Sequence, residues 1–160
     1  GSASLYVADK TFGSDRNYQR GEAVMSGVWS KGPHTLNATL TGGSAFGSDM
    51  PAYDTFSLGG PLRLSGFSIG EFAGREMAFG RLMYYNRTIP LPDLFGTGVY
   101  AGASLEAGQM RNNPAGTATR GALYSGSVFL GANTFLGPAY FGLGAGEGGR
   151  YSIYLLLGAP

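Results

Sequence analysis

The chain has 160 residues, 11 Lys and Arg against 10 Asp and Glu, a single His and no Cys, for a formal net charge of +1. That length fits one domain, and the scattered, nearly balanced charges exclude the basic patch of a nucleic-acid binder. The lack of cysteine excludes disulfides, thiolate zinc sites and thiol nucleophiles.

The bias lies in the small and aromatic residues: 29 Gly, 10 Tyr and 10 Phe, with only 13% charged. Soluble domains average about 25% charged and about 7% Gly, so this composition suits a surface that faces lipid. No run of about 18 apolar residues exists, which excludes a transmembrane helix. Glycine recurs too often for long helices. Gly1-Ser2 reads as a cloning scar and no signal peptide is visible, as in a mature or excised piece. Residues 1–160 are taken as a single domain.

In chain order, the pattern predicts strands over Ala3–Phe12, Tyr18–Ser30 and His34–Phe46. A long loop, residues 47–71, follows the third strand and contains Phe56-Ser57-Leu58-Gly59-Gly60-Pro61-Leu62-Arg63-Leu64-Ser65-Gly66-Phe67. Connections in compact domains usually run about 4–6 residues. A loop this long makes sense if it folds into the hole of a barrel. Five further strands follow at Phe72–Thr88, Thr97–Met110, Arg120–Thr134, Pro138–Gly146 and Arg150–Gly158. Most exceed the five or six residues usual in soluble strands, about the length a tilted transmembrane strand needs.

Alternation with a period of two supports these strands. Val99, Ala101, Ala103, Leu105 and Ala107 share one parity; Tyr100, Gly102, Ser104, Glu106 and Gly108 share the other. Leu36, Ala38 and Leu40 alternate with Thr35, Asn37, Thr39 and Thr41, and Tyr151, Ile153, Leu155 and Leu157 share a face. Arg75, Arg81 and Arg87 oppose Ala78, Gly80 and Leu82. Tight connections (Lys31-Gly32-Pro33 and Phe135-Leu136-Gly137) alternate with longer ones (Gly13–Asn17, Gly47–Glu71 and Arg111–Thr119), while Ile89–Gly96, with Pro90 and Pro92, is intermediate and Glu147-Gly148-Gly149 is short. This is the signature of an outer-membrane barrel with long loops outside and tight turns on the periplasmic side.

The expected fold is therefore all-β: an antiparallel up-and-down transmembrane β-barrel of eight strands, with a long lid loop after the third. Val99, Ala101, Leu105, Leu36, Leu40, Leu155 and Leu157 are assigned to lipid, and Arg81, Arg87, Glu106, Asn37 and Thr39 to the lumen. An Arg at the bilayer midplane costs roughly 2–4 kcal/mol, which a lumen position avoids. Trp29, Tyr84, Tyr85, Tyr140, Tyr151 and Tyr154 are candidates for the aromatic girdles. Parity alone also allows a soluble barrel whose apolar face points inward.

The segment Leu58–Phe67 resembles the lid-loop motif of BamA-type outer-membrane assembly and secretion barrels, and more narrowly the membrane domain of patatin-like autotransporters of type V secretion. Gly80–Arg87, Tyr100–Gly108, Leu130–Pro138 and the closing Tyr151–Gly158 are similar to further segments of that family. The resemblance runs from about Phe56 to the end and more vaguely over the first fifty residues; its specificity lies in the order and spacing of the segments. It implies an integral protein of the bacterial outer membrane, a surface-antigen or autotransporter translocator domain. Its partners would be outer-membrane lipid or lipopolysaccharide (detergent in vitro) and, during insertion, the barrel-assembly machinery. Family barrels have sixteen strands with five after the lid; here five follow and three precede it. The chain thus resembles a C-terminal half. Either its first strand closes on its last, or two copies form a homodimeric ring, since an open edge in lipid leaves backbone groups unsatisfied.

The lid-loop motif implied is Gly59, Gly60, Arg63, Leu64, Ser65, Gly66 and Phe67. The family carries an Arg directly before the Gly-aromatic pair, where this chain has Ser65. Arg63 is the nearest basic substitute and is expected either to pair with a lumen acid, Glu106 being the best candidate, or to stay solvated. Gly66 is expected to allow close backbone approach, and Phe67 to pack as a wedge. The family usually ends on an aromatic residue, whereas this sequence stops at Gly158-Ala159-Pro160.

Glu76, Arg81, Arg87 and Glu106 are expected to form a lumen salt network, because an unpaired charge in a dry lumen is costly. Asp9 and Glu22 are further candidate lumen charges, and Glu71, Glu76 and Arg75 a local cluster. His34 reads as a rim residue, and Gly142–Gly149 as small residues where strands crowd at a barrel seam. The nucleophile motif Gly-x-Ser-x-Gly does not occur, and a single His gives no multi-His metal site. No catalytic residue, cofactor or metal is expected. The expected function is a non-enzymatic membrane anchor or translocator. The rivals are a soluble ligand-binding barrel, a solute-conducting pore and an assembly role.

Overall fold

The computed structural model describes residues 2–8, 18–46, 55–89, 98–112, 119, 121–134 and 137–158. They form ten strands: β1 (Ser2–Ala8), β2 (Tyr18–Lys31), β3 (His34–Phe46), β4 (Phe56–Leu58), β5 (Phe72–Gly74), β6 (Glu76–Ile89), β7 (Val99–Arg111), β8 (Leu123–Thr134), β9 (Gly137–Gly146) and β10 (Arg150–Leu157). Eight make one antiparallel sheet in the order β1-β2-β3-β6-β7-β8-β9-β10, and β4 and β5 form a separate ribbon inside the long connection. The parts of the expected first strand beyond Ala8, the Pro90/Pro92 turn and most of the Arg111–Thr119 loop lie outside the described residues, as does Asp9.

The third strand has the expected bounds. The fourth does not: Phe72–Gly74 leaves the sheet and pairs with Phe56–Leu58. The chain crosses over at Arg75, whose amide donates to the Arg111 carbonyl at 3.0 Å. A side chain at Gly74 would place its Cβ 2.4 Å from that carbonyl oxygen, so the crossing needs glycine. At the opposite end, the β2–β3 hairpin turns through Gly32, with φ of 60°, followed by Pro33. Glycine at the first central position of a two-residue turn is the type II′ preference, which matches the twist of the flanking strands.

The register sorts the side chains into rows across the sheet. One row on the convex side runs Trp29, Leu36, Tyr84, Ala103, Val128, Leu143, Ile153. The next row toward the long loops runs Gly27, Ala38, Leu82, Leu105, Gly126, Ala145, Tyr151. Of the residues assigned to lipid, Leu36, Leu40, Leu105, Leu155 and Leu157 are exposed, Leu105 at 69% and Leu155 at 70%, whereas Val99 and Ala101 are part-buried; Ile153 is 74% exposed. The opposite parity gives rows such as Ser26, Thr39, Arg81, Glu106, Ser125, Gly146, a polar lane on the concave side.

The core sits on that concave side, between the sheet and the long loop. Phe56, Leu58, Leu64 and Phe67 of the loop pack with Ala45, Met77, Phe79 and Met110 of the sheet. Leu62 packs with Met83, Phe129 and Tyr154. Three of the six girdle candidates belong to this interior: Tyr154 is buried, and Tyr85 and Tyr140 pack beside it. Their parity places them on the lid side, so that assignment is corrected. Trp29, Tyr84 and Tyr151 do lie on the outer face. Tyr124, also bare and second in β8, joins Tyr151, second in β10, at the long-loop end.

Closure of the first strand on the last is not found. Among the described residues β1 pairs only with β2 and β10 only with β9, so the sheet is an arc with two free edges.

Candidate functional site

The lid is a compact loop returning on itself. Gly59 donates its amide to the Arg63 carbonyl at 3.0 Å, and the Arg63 amide donates back to the Gly60 carbonyl at 3.0 Å. Gly59 and Gly60 take φ of 118° and 112°, a region closed to other residues. Leu62 and Leu64 also take positive φ, 55° and 71°. Bulky residues adopt that region only when their surroundings impose it. Here the imposition is burial, since both leucines are wholly shielded from solvent.

Glu106 holds the tip of this loop. It is 3% exposed, in the middle of β7, and both oxygens are saturated. The Ser65 amide donates to Oε2 at 2.6 Å and the Ser125 hydroxyl donates to the same oxygen at 2.8 Å. The Ser65 hydroxyl donates to Oε1 at 2.8 Å and the Ser104 hydroxyl at 2.5 Å. A carboxylate offers about four lone-pair sites, and all are used. The network continues from Ser104 to Ser127 at 2.8 Å and from Ser127 to the Tyr154 hydroxyl at 2.9 Å. The Ser65 hydroxyl in turn accepts the Leu62 amide at 2.9 Å.

Arg81 stands directly across from Glu106 on β6, nearly buried. Its Nη1 donates to the Leu62 carbonyl at 3.1 Å, on the other side of the lid tip. The lid is thus gripped by a carboxylate through Ser65 and a guanidinium through Leu62. The two side chains form no direct ion pair, and Glu106 acts on Arg81 through space. The last strand adds two ties: the Ser152 hydroxyl donates to the Ser65 carbonyl, and Arg150 Nη1 lies 2.7 Å from Glu71 Oε1.

Small residues let the lid lie against the sheet backbone. A Cβ at Gly66 would fall 2.1 Å from the Gly146 nitrogen, and one at Gly144 would fall 2.1 Å from the Ser65 carbonyl oxygen. The expected close approach at Gly66 is therefore present, and β9 is its partner. Gly144 and Gly146, read from the sequence as small residues at a barrel seam, form the track on which the lid rests. The Tyr154 ring fills the place beside Gly142. Phe67, 4% exposed, meets Phe72 edge-on with centroids 5.2 Å apart.

Two expectations about charges are corrected. Arg63 does not reach Glu106: it is exposed, its Nη2 lying 3.4 Å from the Ser57 carbonyl and 3.8 Å from the Met77 sulfur. Glu106 is claimed instead by Ser65, at the position where the resembling family has arginine. Arg63→Ala is accordingly expected to change lid stability by no more than about 0.5 kcal/mol, the range of exposed substitutions, read as unchanged exchange protection of the Ser65 amide. The single salt network is not found either. Glu76 accepts a hydrogen bond from Asn112 Nδ2 at 2.5 Å, Arg87 is exposed at the far end of β6, and only Arg81 and Glu106 face each other. Glu71 serves Arg150, and Glu22 lies 3.5 Å from Arg20.

Sequence reasoning placed Ser65 in the lid motif but gave the strand serines no role. Ser65, Ser104, Ser125, Ser127 and Ser152 carry most of the buried bonds, yet serine also suits any turn or exposed strand. The signal was available in parity: Ser104 and Glu106, and Ser125 and Ser127, are spaced by two on strands whose other parity is apolar.

No protein-family model matches the chain, and no curated protein matches it.

Proposed function

We propose that the chain is part of an integral outer-membrane β-barrel that anchors a secreted or surface protein or helps to translocate it. It acts through a lipid-matched outer belt and a plugged interior, without bond chemistry of its own. The finer reading, a translocator of the BamA-type surface-antigen family nearest the patatin-like autotransporters, rests on the segments quoted above. The observation that carries the proposal is the bare apolar face. Aliphatic and aromatic side chains cover the convex side row after row, while serines, threonines, Arg81 and Glu106 line the concave side. A soluble barrel would turn the leucines inward, and contiguous apolar patches beyond a few hundred Å² are rare on soluble monomers.

The lid also bears on how the ring closes. A closed eight-stranded barrel has an interior just wide enough for its own side chains. Here the concave side holds an entire loop, which reaches from Arg20 of β2, 4.1 Å over the Phe56 ring, to Ser152 of β10. The sheet is therefore read as an arc of a wider ring, whose edges β1 and β10 pair with further strands in the membrane.

Leu105→Arg tests the reading. In a lipid-facing position near mid-strand it is expected to cost roughly 2–4 kcal/mol of folding stability in vesicles, whereas Thr39→Arg on the concave side stays well below that. Equal costs, or a chain that remains monodisperse without detergent, would return the soluble barrel.

A further inference from the structure

We infer that the tight-turn end of the outer face carries a binding notch for the phosphate of an anionic phospholipid headgroup, built by Lys31, His34, Tyr84 and Asn86. The inference rests on the reading of that face as lipid-exposed. Lys31, His34 and Asn86 are consecutive partners in one outer-face row, across β2, β3 and β6. Directly opposed residues on one face have Cβ atoms about 5 Å apart, so Lys31 and His34 share a single small patch at the hairpin turn.

The imidazole is held in one orientation. His34 Nδ1 lies 2.9 Å from Asn86 Nδ2 and 2.7 Å from the Tyr84 hydroxyl, and the two rings stack with centroids 6.1 Å apart. Both contacts fall on Nδ1, and Nε2 has no partner among the described residues. The exposed His34 therefore presents Nε2, a donor when it carries the ring proton, in the same patch as the Lys31 ammonium. Neither residue has a role in the lid or the core, and an anion is the ligand that both can serve.

Charge and shape agree. Among the described residues Glu22, Glu71, Glu76 and Glu147 stand toward the long-loop end together with Arg20, Arg75, Arg111 and Arg150, so that end is balanced, and Glu106 is buried. The tight-turn end holds Lys31 on the outer face and Arg87 on the opposite one, with no carboxylate among the described residues there. The next outer row carries Trp29 and Leu36, and the Trp29 ring lies back over Gly27, where a Cβ would meet it at 2.8 Å. The ring thus lies toward the apolar band and leaves the rim open. A phosphate at the notch would have its acyl chains beside that band, which favours a lipid over free phosphate.

Trp29 is the sole tryptophan, which gives a clean readout. The protein is placed in phosphatidylcholine bicelles, and its fluorescence is quenched with acyl-brominated phosphatidylglycerol or acyl-brominated phosphatidylcholine. The expected result is a preference for phosphatidylglycerol of about fivefold, the factor one cation contributes at an anionic surface. It should fall to about one in the Lys31→Gln/His34→Gln variant and survive millimolar inorganic phosphate. Lys31→Gln alone should lose most of it, in case the double variant folds poorly. Equal quenching by both lipids overturns the notch, and a preference abolished by inorganic phosphate overturns the lipid as its ligand. Quenching by neither lipid is a different failure: it would put Trp29 outside the bilayer and overturn the reading of the outer face itself.

Discussion

Glu106→Ala is expected to release the lid. The substitution leaves the Ser65 amide and the hydroxyls of Ser65, Ser104 and Ser125 without their acceptor. It also leaves the Arg81 guanidinium buried with no opposing charge. Each buried donor left without its acceptor costs about 1–3 kcal/mol, and the four together exceed about 3 kcal/mol. Hydrogen exchange at the Ser65 amide should therefore accelerate at least about a hundredfold, while amides in the centre of β8 keep their protection. Glu106→Gln should fall between, since it retains one accepting oxygen. In an Arg81→Met background the penalty of Glu106→Ala should shrink, because no buried cation is left behind. Unchanged exchange at Ser65 in Glu106→Ala would remove Glu106 from its central place in the lid.

Gly66→Ala should have an effect of similar size by a different route. The added methyl would meet the Gly146 backbone, at 2.1 Å from the nitrogen and 2.4 Å from Cα. Overpacking costs typically about 1–3 kcal/mol when side chains can yield, and here the obstacle is main chain on both sides. The cost is expected at or above the top of that range, read as lid release in exchange and as cleavage at Arg63 by trypsin. Gly42→Ala supplies the control. Gly42 lies on the outer face with nothing within 4 Å of its Cβ position, and it should be neutral or slightly stabilising. Equal behaviour of the two variants would mean that the lid does not rest on β9.

The sheet was largely legible in the sequence because a period of two is a local signal and the chain repeats it strand after strand. Bounds such as His34–Phe46 could be read directly, as could the outward parity of Leu105 and Ile153. The departures have a common cause: they depend on what fills the concave side. Tyr154 and Tyr140 look like girdle residues until the lid tip is seen to occupy the interior beside them. Phe72–Gly74 looks like the start of a long strand until its partner Phe56–Leu58 is brought back by the loop. Arg63 was the natural ligand for Glu106 by charge, yet Ser65 takes the place, since a neutral residue offering two donors reaches both oxygens of the carboxylate. Glycines 144 and 146 gave the correct cue of close approach but not its object, which only the folded loop supplies.

The central claim is that hydrocarbon covers the convex face of the sheet. Nitroxide side chains placed one at a time at Val128, Leu143 and Ile153, neighbours in one outer row, and at Asn37 and Thr39 on the concave side, test it most directly in reconstituted vesicles. The three outer labels should relax readily with dissolved oxygen and poorly with a water-soluble nickel chelate, and the two concave labels should not share this preference. Strong collision of the Val128, Leu143 and Ile153 labels with the nickel chelate would contradict it.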